Sequence, residues 1–381
     1  MSGRLFIATA LLLAACGKDK DGDTAAAPSA DELEYVDLGS VEISDTGDYT
    51  GEIDVEVPEG TVGSLVYCGG FGDSTLGAIW ELKDPTGALV YTGDAPDRSR
   101  YRSEFLDETS TGLLSVTPNL PLTPGTYKVN WFIGRGNGGS VSCGAVHRVD
   151  EISSDAPIAV ELVFVGGGGL DAASAQEDEV FQAVIDSFSA QWGAGKLVPQ
   201  ISYSDFAGDL ATYSVVDVSD DDFSEFNDLL RTANPANPRT LVFFMVDEIA
   251  NASAGGATIL GLSAGPPGGA GLTGTSKSGV VVSTVDYASA PEDVAKIMAH
   301  EGGHFLGLYH TSESDGSIHD PLPDTTQCTI AEDSNGNGVV NSSECGGKGA
   351  ENVMWWTLST AGSPGLTVDQ SYVLRRNPLA D

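Results

Sequence analysis

The stretch "HEGGHFLGLYH", residues 300–310, gathers three of the chain's five histidines into eleven positions. His300 and His304 are four residues apart, so on a helix both imidazoles leave one face and can bind a single metal ion. Glu301 points about 100° around the helix from His300, where it can act as a general base on a water rather than compete as a ligand. Gly302 and Gly303 each weaken a helix interior by roughly 0.8–1 kcal/mol relative to Ala, so packing and ligation, not local propensity, must hold this helix. Gly307 can take the left-handed conformation that ends a helix and turns the chain back, bringing His310 to the same ion from a new direction. Three imidazoles with a fourth position open for water are the donor set of a catalytic zinc site. If the three were merely packed side chains, their spacing would be coincidence. His147 and His319 read as bystanders, with His319 or Asp320 the substitute third ligand should His310 not serve.

The chain begins with one basic residue, Arg4, an apolar run over 5–13 and small residues ending at Cys16, which reads as a signal peptide over 1–16. Leu13-Ala14-Ala15-Cys16 resembles a bacterial lipobox, which implies lipidation at Cys16; the alternative is an ordinary cut near Ala15 with Cys16 a spare thiol. Residues 17–34 are small and charged with no apolar period, as a flexible tether would be. No other apolar run approaches the roughly 20 residues needed to span a bilayer. The expected location is the bacterial cell envelope, as an outer-membrane or surface lipoprotein, or secretion, with the membrane met only through a lipid anchor. A formal charge of -37 repels phosphate backbones and argues against nucleic acid as a partner. Apart from Cys16, four cysteines remain in a compartment that permits disulfides. Three pairings are possible; chain position favours Cys68–Cys143 and Cys328–Cys345, while Cys143 held on the metal is the sharper alternative.

Residues 35–150 read as short alternating runs at 49–57, 61–67, 78–82, 113–116, 127–133 and 141–149, separated by Pro and Gly turns, the pattern of an all-β sandwich. After a polar linker at 150–157 the pattern changes. The expected order is a buried strand at 158–165, a helix capped by Ser174 and Glu177 with Phe181, Val184, Ile185 and Phe188 on one face, and a strand near 200–203. A helix with Phe223, Phe226 and Leu230, a strand at 240–246 and an edge strand in 278–287 come next. Ser289 and Glu292 are expected to cap the helix that carries the histidines.

The segment 300–310 matches H-E-x-x-H-x-x-G-x-x-H at every fixed position, and in this the chain resembles the metzincin zinc endopeptidases. The resemblance extends over about 158–381. It implies an α+β zincin-like catalytic domain at 158–381 behind the β-sandwich, Zn2+ on His300, His304 and His310, and a methionine turn beneath the metal, supplied by Met354 in "ENVMWW". It also places the substrate-pairing edge strand at 279–285. "HDPLPDTTQC" followed by "NVM" looks like the pappalysin group. One departure is Trp356, which stands where several metzincins carry a tyrosine able to touch the metal. The implied activity is hydrolysis of protein or peptide substrates by a secreted or tethered monomer, with Glu301 taking and returning the proton. Alternatives are a zinc-dependent amidase acting on cell-wall crosslinks and a non-catalytic surface adhesin.

A second site is expected in "DSNGNGVVNSSE", residues 333–344. Asp333, Asn335 and Asn337 occupy positions one, three and five of a twelve-residue Ca2+ loop, Gly338 the sixth, the Val339 carbonyl the seventh and Glu344 the twelfth. The alternative is a plain turn, because the flanks do not read as helices.

Overall fold

Alternating apolar residues in the first half form two antiparallel sheets. The computed structural model describes residues 33–43, 48–69, 76–93, 109–134, 139–219, 223–251, 259–358 and 365–381; the signal peptide and Cys16 lie outside the described residues. The early strands are β1 (Glu34–Ile43), β2 (Asp48–Tyr49), β3 (Ile53–Val57), β4 (Gly63–Gly69), β5 (Leu76–Lys83), β6 (Leu89–Thr92), β7 (Ser110–Leu113), β8 (Gly125–Gly134) and β9 (Gly139–Arg148). One sheet runs β1-β9-β4-β7 and the other β2-β8-β5-β6, with β3 also paired to β8. Val55, Ile79, Val129, Trp131 and Ile133 from the second sheet share a buried cluster with Val66, Cys68, Val141, Cys143 and Ala145 from the first, as period-two burial requires. Cys68 and Cys143 lie opposite each other on β4 and β9 and are disulfide-bonded, as are Cys328 and Cys345. The run expected at 49–57 is split into β2 and β3 by Gly51, whose φ is 77°.

The second half begins with β10 (Ala156–Val165), α1 (Ala172–Glu177), α2 (Glu179–Ala194), β11 (Leu197–Asp205), α3 (Leu210–Tyr213), β12 (Val215–Asp217) and α4 (Ser224–Leu230). It continues with β13 (Thr240–Val246), β14 (Glu248–Ala250), β15 (Gly261–Ser263), β16 (Val280–Ser283), α5 (Pro291–Phe305) and α6 (Val368–Leu374). The order β11-β10-β13-β16-β15 is parallel except for β15, and β12 and β14 form a separate parallel pair. The expected face of α2 is the buried one: Phe181, Val184, Ile185 and Phe188 all point into the core. Helix α5 packs beside α2, and the Trp192 indole donates to the Ala299 carbonyl at 3.2 Å.

Three expectations are corrected. The strand near 280 is not an edge: β16 is fully buried between β13 and β15, so among the described residues the outer strand is β15, drawn from the Gly-rich stretch. Its continuous valines fit a strand covered on both sides. Ser174 does not cap the long helix; it is the N3 residue of α1 under Asp171, and Asp178 caps α2. Ser289 caps nothing either, since α5 starts after Ala290 with Pro291 in its first turn, a position that needs no amide donor.

Candidate metal centre

Helix α5 enters its last two turns with both glycines of the motif pressed against neighbours. A Cβ on Gly302 would lie 2.5 Å from the Trp192 ring, and one on Gly303 would lie 2.6 Å from Met354 Sδ. This close approach explains two residues that weaken the helix: a larger side chain at 302 would strike the rigid Trp192 and Phe243 rings, and one at 303 would displace Met354. The helix then stops. Gly307 has a φ of 105°, its N–H bonds the His304 carbonyl at 3.0 Å, and the Leu308 N–H bonds the Gly303 carbonyl at 2.9 Å.

That reversal brings the three histidines together. Their Nε2 atoms are separated by 3.1, 3.1 and 3.2 Å. Each Nδ1 faces an acceptor: His300 donates to the Val353 carbonyl at 2.8 Å, His304 to the Leu308 carbonyl at 2.7 Å, and His310 to Glu313 Oε2 at 2.9 Å. Because those partners only accept, the ring protons sit on Nδ1, and three Nε2 lone pairs converge with no proton between them. Such an arrangement is repulsive unless a cation lies among them. Two nitrogens about 2.0–2.1 Å from one tetrahedral ion would be roughly 3.3–3.4 Å apart, close to the observed triangle. The donor set therefore fits zinc, and among the described residues it is the group of three or more His, Cys, Asp or Glu side chains able to hold a metal. Burial and the neighbouring His310 hold the His300 pKa down to about 4, consistent with neutral, ligating imidazoles.

Glu301 lies on the adjacent face of α5, buried against β15, where a Cβ on Gly261 would come within 2.6 Å of Glu301 Cγ. Burial pushes its carboxyl up to about 8, opposed by a hydrogen bond from the Ser263 backbone. A cleft of about 210 Å³ passes His300 and Glu301 between Ile259–Gly261 on one side and Val353, Trp356 and Leu358 on the other, with Ile297 along its length.

The loop around Met354 supports the triad from below. Asn352 Oδ1 accepts the Met354 N–H at 2.8 Å and exchanges amide hydrogen bonds with Gln370, the Val353 carbonyl holds His300, and the Met354 carbonyl accepts the Thr311 N–H at 3.0 Å beside His310. Trp356 turns its Nε1 to the Val340 carbonyl at 2.9 Å, so the position brings no hydroxyl to the metal. Glu313, Asn352 and Val353 were not singled out by the sequence. Only the His310-x-x-Glu313 spacing offered a signal for any of them; the other two act through position and backbone.

The remaining expected residues lie elsewhere. His319 bonds Ser312 Oγ at 3.2 Å and Asp320 accepts from Thr325, so neither joins the triad. His147 sits in β9 with its Nδ1 on Ser64 Oγ at 2.9 Å, and Cys143 is in its disulfide, which removes it as a metal ligand. In the loop 333–344, Asp333 accepts from the Gly336 and Gly338 N–H groups at 2.8 Å each, and Glu344 accepts from Ser334, Asn335 and Asn341. Asn335 and Asn337 likewise spend their side-chain oxygens on the loop's own backbone. These donors hold both carboxylates below their ordinary pKa.

No known family profile and no curated protein matches the chain. Among solved structures, archaemetzincin from Methanopyrus kandleri is similar at 17% identity and a TM-score of 0.34, over 58% of this chain and 94% of that one. Metalloproteinase-II from Bacteroides fragilis is similar at 16% identity and a TM-score of 0.29, over 45% of this chain and 49% of that one.

Proposed function

We propose that the chain is a metzincin-type, pappalysin-like zinc endopeptidase, with an N-terminal β-sandwich at 35–150 and a catalytic unit at 158–381. The single observation that carries this is the convergence of three proton-free Nε2 atoms beside the buried Glu301 carboxylate at the wall of an open cleft. His300, His304 and His310 would hold the ion. A bound zinc supplies Lewis acidity that polarises a carbonyl and lowers the pKa of water. Glu301 takes the proton of the attacking water and delivers it to the leaving amine. An extended peptide would add to the outer strand β15, whose backbone gives hydrogen bonds independent of substrate sequence. This reading puts the substrate on 261–263 instead of the expected edge strand at 279–285.

Secretion or surface tethering through a lipid on Cys16, and weak calcium binding by Asp333, Asn335, Asn337, Val339 and Glu344, belong to the same reading. The experiment that tests it is digestion of an unfolded protein such as casein, and of peptidoglycan in parallel, by wild type and Glu301→Gln, with and without a zinc chelator. We expect casein to be cut only by the metal-loaded wild type, while Glu301→Gln keeps about one zinc per chain and loses on the order of 100-fold or more in rate. Full activity in Glu301→Gln would sink the assignment, and cleavage of peptidoglycan alone would favour the amidase.

A further inference from the structure

We infer that the N-terminal sheets are a fixed support of the metal centre, acting on His310 through its neighbour Tyr309, and are neither a detachable pro-segment nor a free-standing binding module. The inference rests on the reading that the triad holds zinc.

Around the third histidine, successive side chains go to three places. Leu308 belongs to the core of the large mixed sheet, Tyr309 to the core between the two N-terminal sheets, and His310 returns its Nε2 to the triad. Tyr309 is only 2% exposed, and its hydroxyl donates to the Pro266 carbonyl at 3.4 Å. His310 comes from no helix, so its backbone has no ladder of its own to hold it. The positions on either side are what hold it. Gly307, which makes the reversal, has no room for a side chain because Leu113 of β7 lies over it; a Cβ there would be 2.7 Å from Leu113 Cδ2. Gly307 and Tyr309, which turn and anchor the chain just ahead of His310, therefore meet the N-terminal sheets, while Glu313 and the methionine turn hold it from the other side.

The contact continues beyond this loop. Leu65, Leu113 and Val146 of the first sheet are at most 1% exposed and belong to the core of the second half. Thr111 Oγ1 donates to the Pro267 carbonyl at 2.7 Å, Tyr35 to that of Gly271 at 2.9 Å and the Arg148 guanidinium to that of Arg375 at 2.7 Å. A Cβ on Gly63 would come within 1.7 Å of the Arg376 carbonyl oxygen, so the two backbones meet without a side chain between them. A segment meant to leave would uncover three core residues and strand these carbonyls. Nor do its described residues block the cleft, since among the described residues none that lines it precedes Ile259. An inhibitory pro-segment has to do the reverse: cover the cleft and release cheaply.

Two measurements on the full chain test this. A recognition site for a specific protease is placed between residues 151 and 155 and cut; the halves should co-elute in size-exclusion chromatography with zinc content and peptidase activity unchanged. Separation of the halves, with zinc staying on the C-terminal part, would overturn the inference. The second measurement is the zinc dissociation constant by chelator competition for Tyr309→Ala and Val129→Ala, two cavities in the same N-terminal core, one beside the ligand and one remote. Tyr309→Ala should weaken zinc binding on the order of 10-fold or more, the range seen when the support of a ligand is removed, whereas Val129→Ala should stay within about 2-fold of wild type despite its loss of thermal stability. Equal effects in a zinc-binding wild type would sink this inference alone; a wild type that binds no zinc would sink the reading of the triad and this inference with it.

Discussion

Gly303 and Met354 occupy one space: a Cβ on the glycine would lie 2.6 Å from the methionine sulfur. Met354 therefore touches the helix backbone between the two helical histidines, which is how a residue with no metal contact can set the height of the triad.

The two helix glycines should fail differently when replaced. Gly303→Ala gains roughly 1 kcal/mol of helix propensity, and the flexible thioether can yield, so stability should change little while Met354 shifts and zinc affinity falls. Gly302→Ala meets the fully buried Trp192 and Phe243 rings at 2.5 and 2.9 Å, which cannot move aside. Overpacking of about 1–3 kcal/mol should exceed the propensity gain there and lower the melting temperature. Thermal melts and chelator competition on the two variants check this; a lower melting temperature for Gly303→Ala than for Gly302→Ala would refute it.

Among the described residues, Glu313 is the carboxylate that accepts from the outer nitrogen of a triad histidine, His310, while the Nδ1 atoms of His300 and His304 face backbone carbonyls. Glu313→Gln keeps the size of the side chain but removes the charge that makes His310 a stronger donor. Zinc affinity should fall about 10–100-fold, and the visible spectrum of the cobalt-substituted protein should shift. An unchanged dissociation constant would mean that Glu313 only shapes the turn at 313–318.

How much of the fold and site was legible in the sequence depends on what each residue does. His300, His304, Gly307 and His310 act through spacing on one helix and its reversal, and spacing is what a sequence displays. The face of α2 and the strand at 240–246 were readable for the same reason. The edge strand was misplaced because the valines at 280–282 have β-propensity whether covered or not, while β15 is only three residues of Gly, Leu and Ser. The caps at 174 and 289 were misread because the capping-box pattern recurs by chance near polar turns, and Asp178 and Pro291 each supplied a better start. Val353 and Asn352 could not be found at all: one contributes a backbone carbonyl, the other an amide to its own turn.

Acid should destabilise the protein through His147. Burial lowers its pKa below the ordinary 6.5, only partly opposed by Glu34, and its Nδ1 lies on Ser64. Below pH 6.5 the unfolded chain takes up a proton that the folded chain refuses, so stability falls as pH drops from 6.5 toward the lowered folded value. The slope from one such group is at most about 1.4 kcal/mol per pH unit. His147→Gln, which keeps a hydrogen-bonding side chain without the titration, should show a shallower loss between pH 6.5 and 5 in denaturant melts. Parallel curves for the two proteins would remove His147 as the cause.

The loop at 333–344 should bind calcium weakly, and its geometry says why. Its two carboxylates are already used: Glu344 accepts from Ser334 and Asn335 on one oxygen and from Asn341 on the other, while Asp333 closes the turn over Gly336 and Gly338. An ion would have to take over oxygens that now satisfy backbone N–H groups, with only two charges to attract it, so a dissociation constant of roughly 0.1–1 mM is expected. The loop is nevertheless tied to the cleft. Val340 is fully buried beside the Cys328–Cys345 disulfide, and its carbonyl holds the Trp356 indole that lines the cleft. Millimolar calcium should therefore raise the melting temperature, and Glu344→Gln should abolish that rise while also lowering the calcium-free melting temperature through its lost charge-assisted hydrogen bonds. If calorimetry at millimolar calcium shows no heat of binding, or the variant keeps the wild-type calcium response, the segment is a turn that braces the cleft wall without any ion.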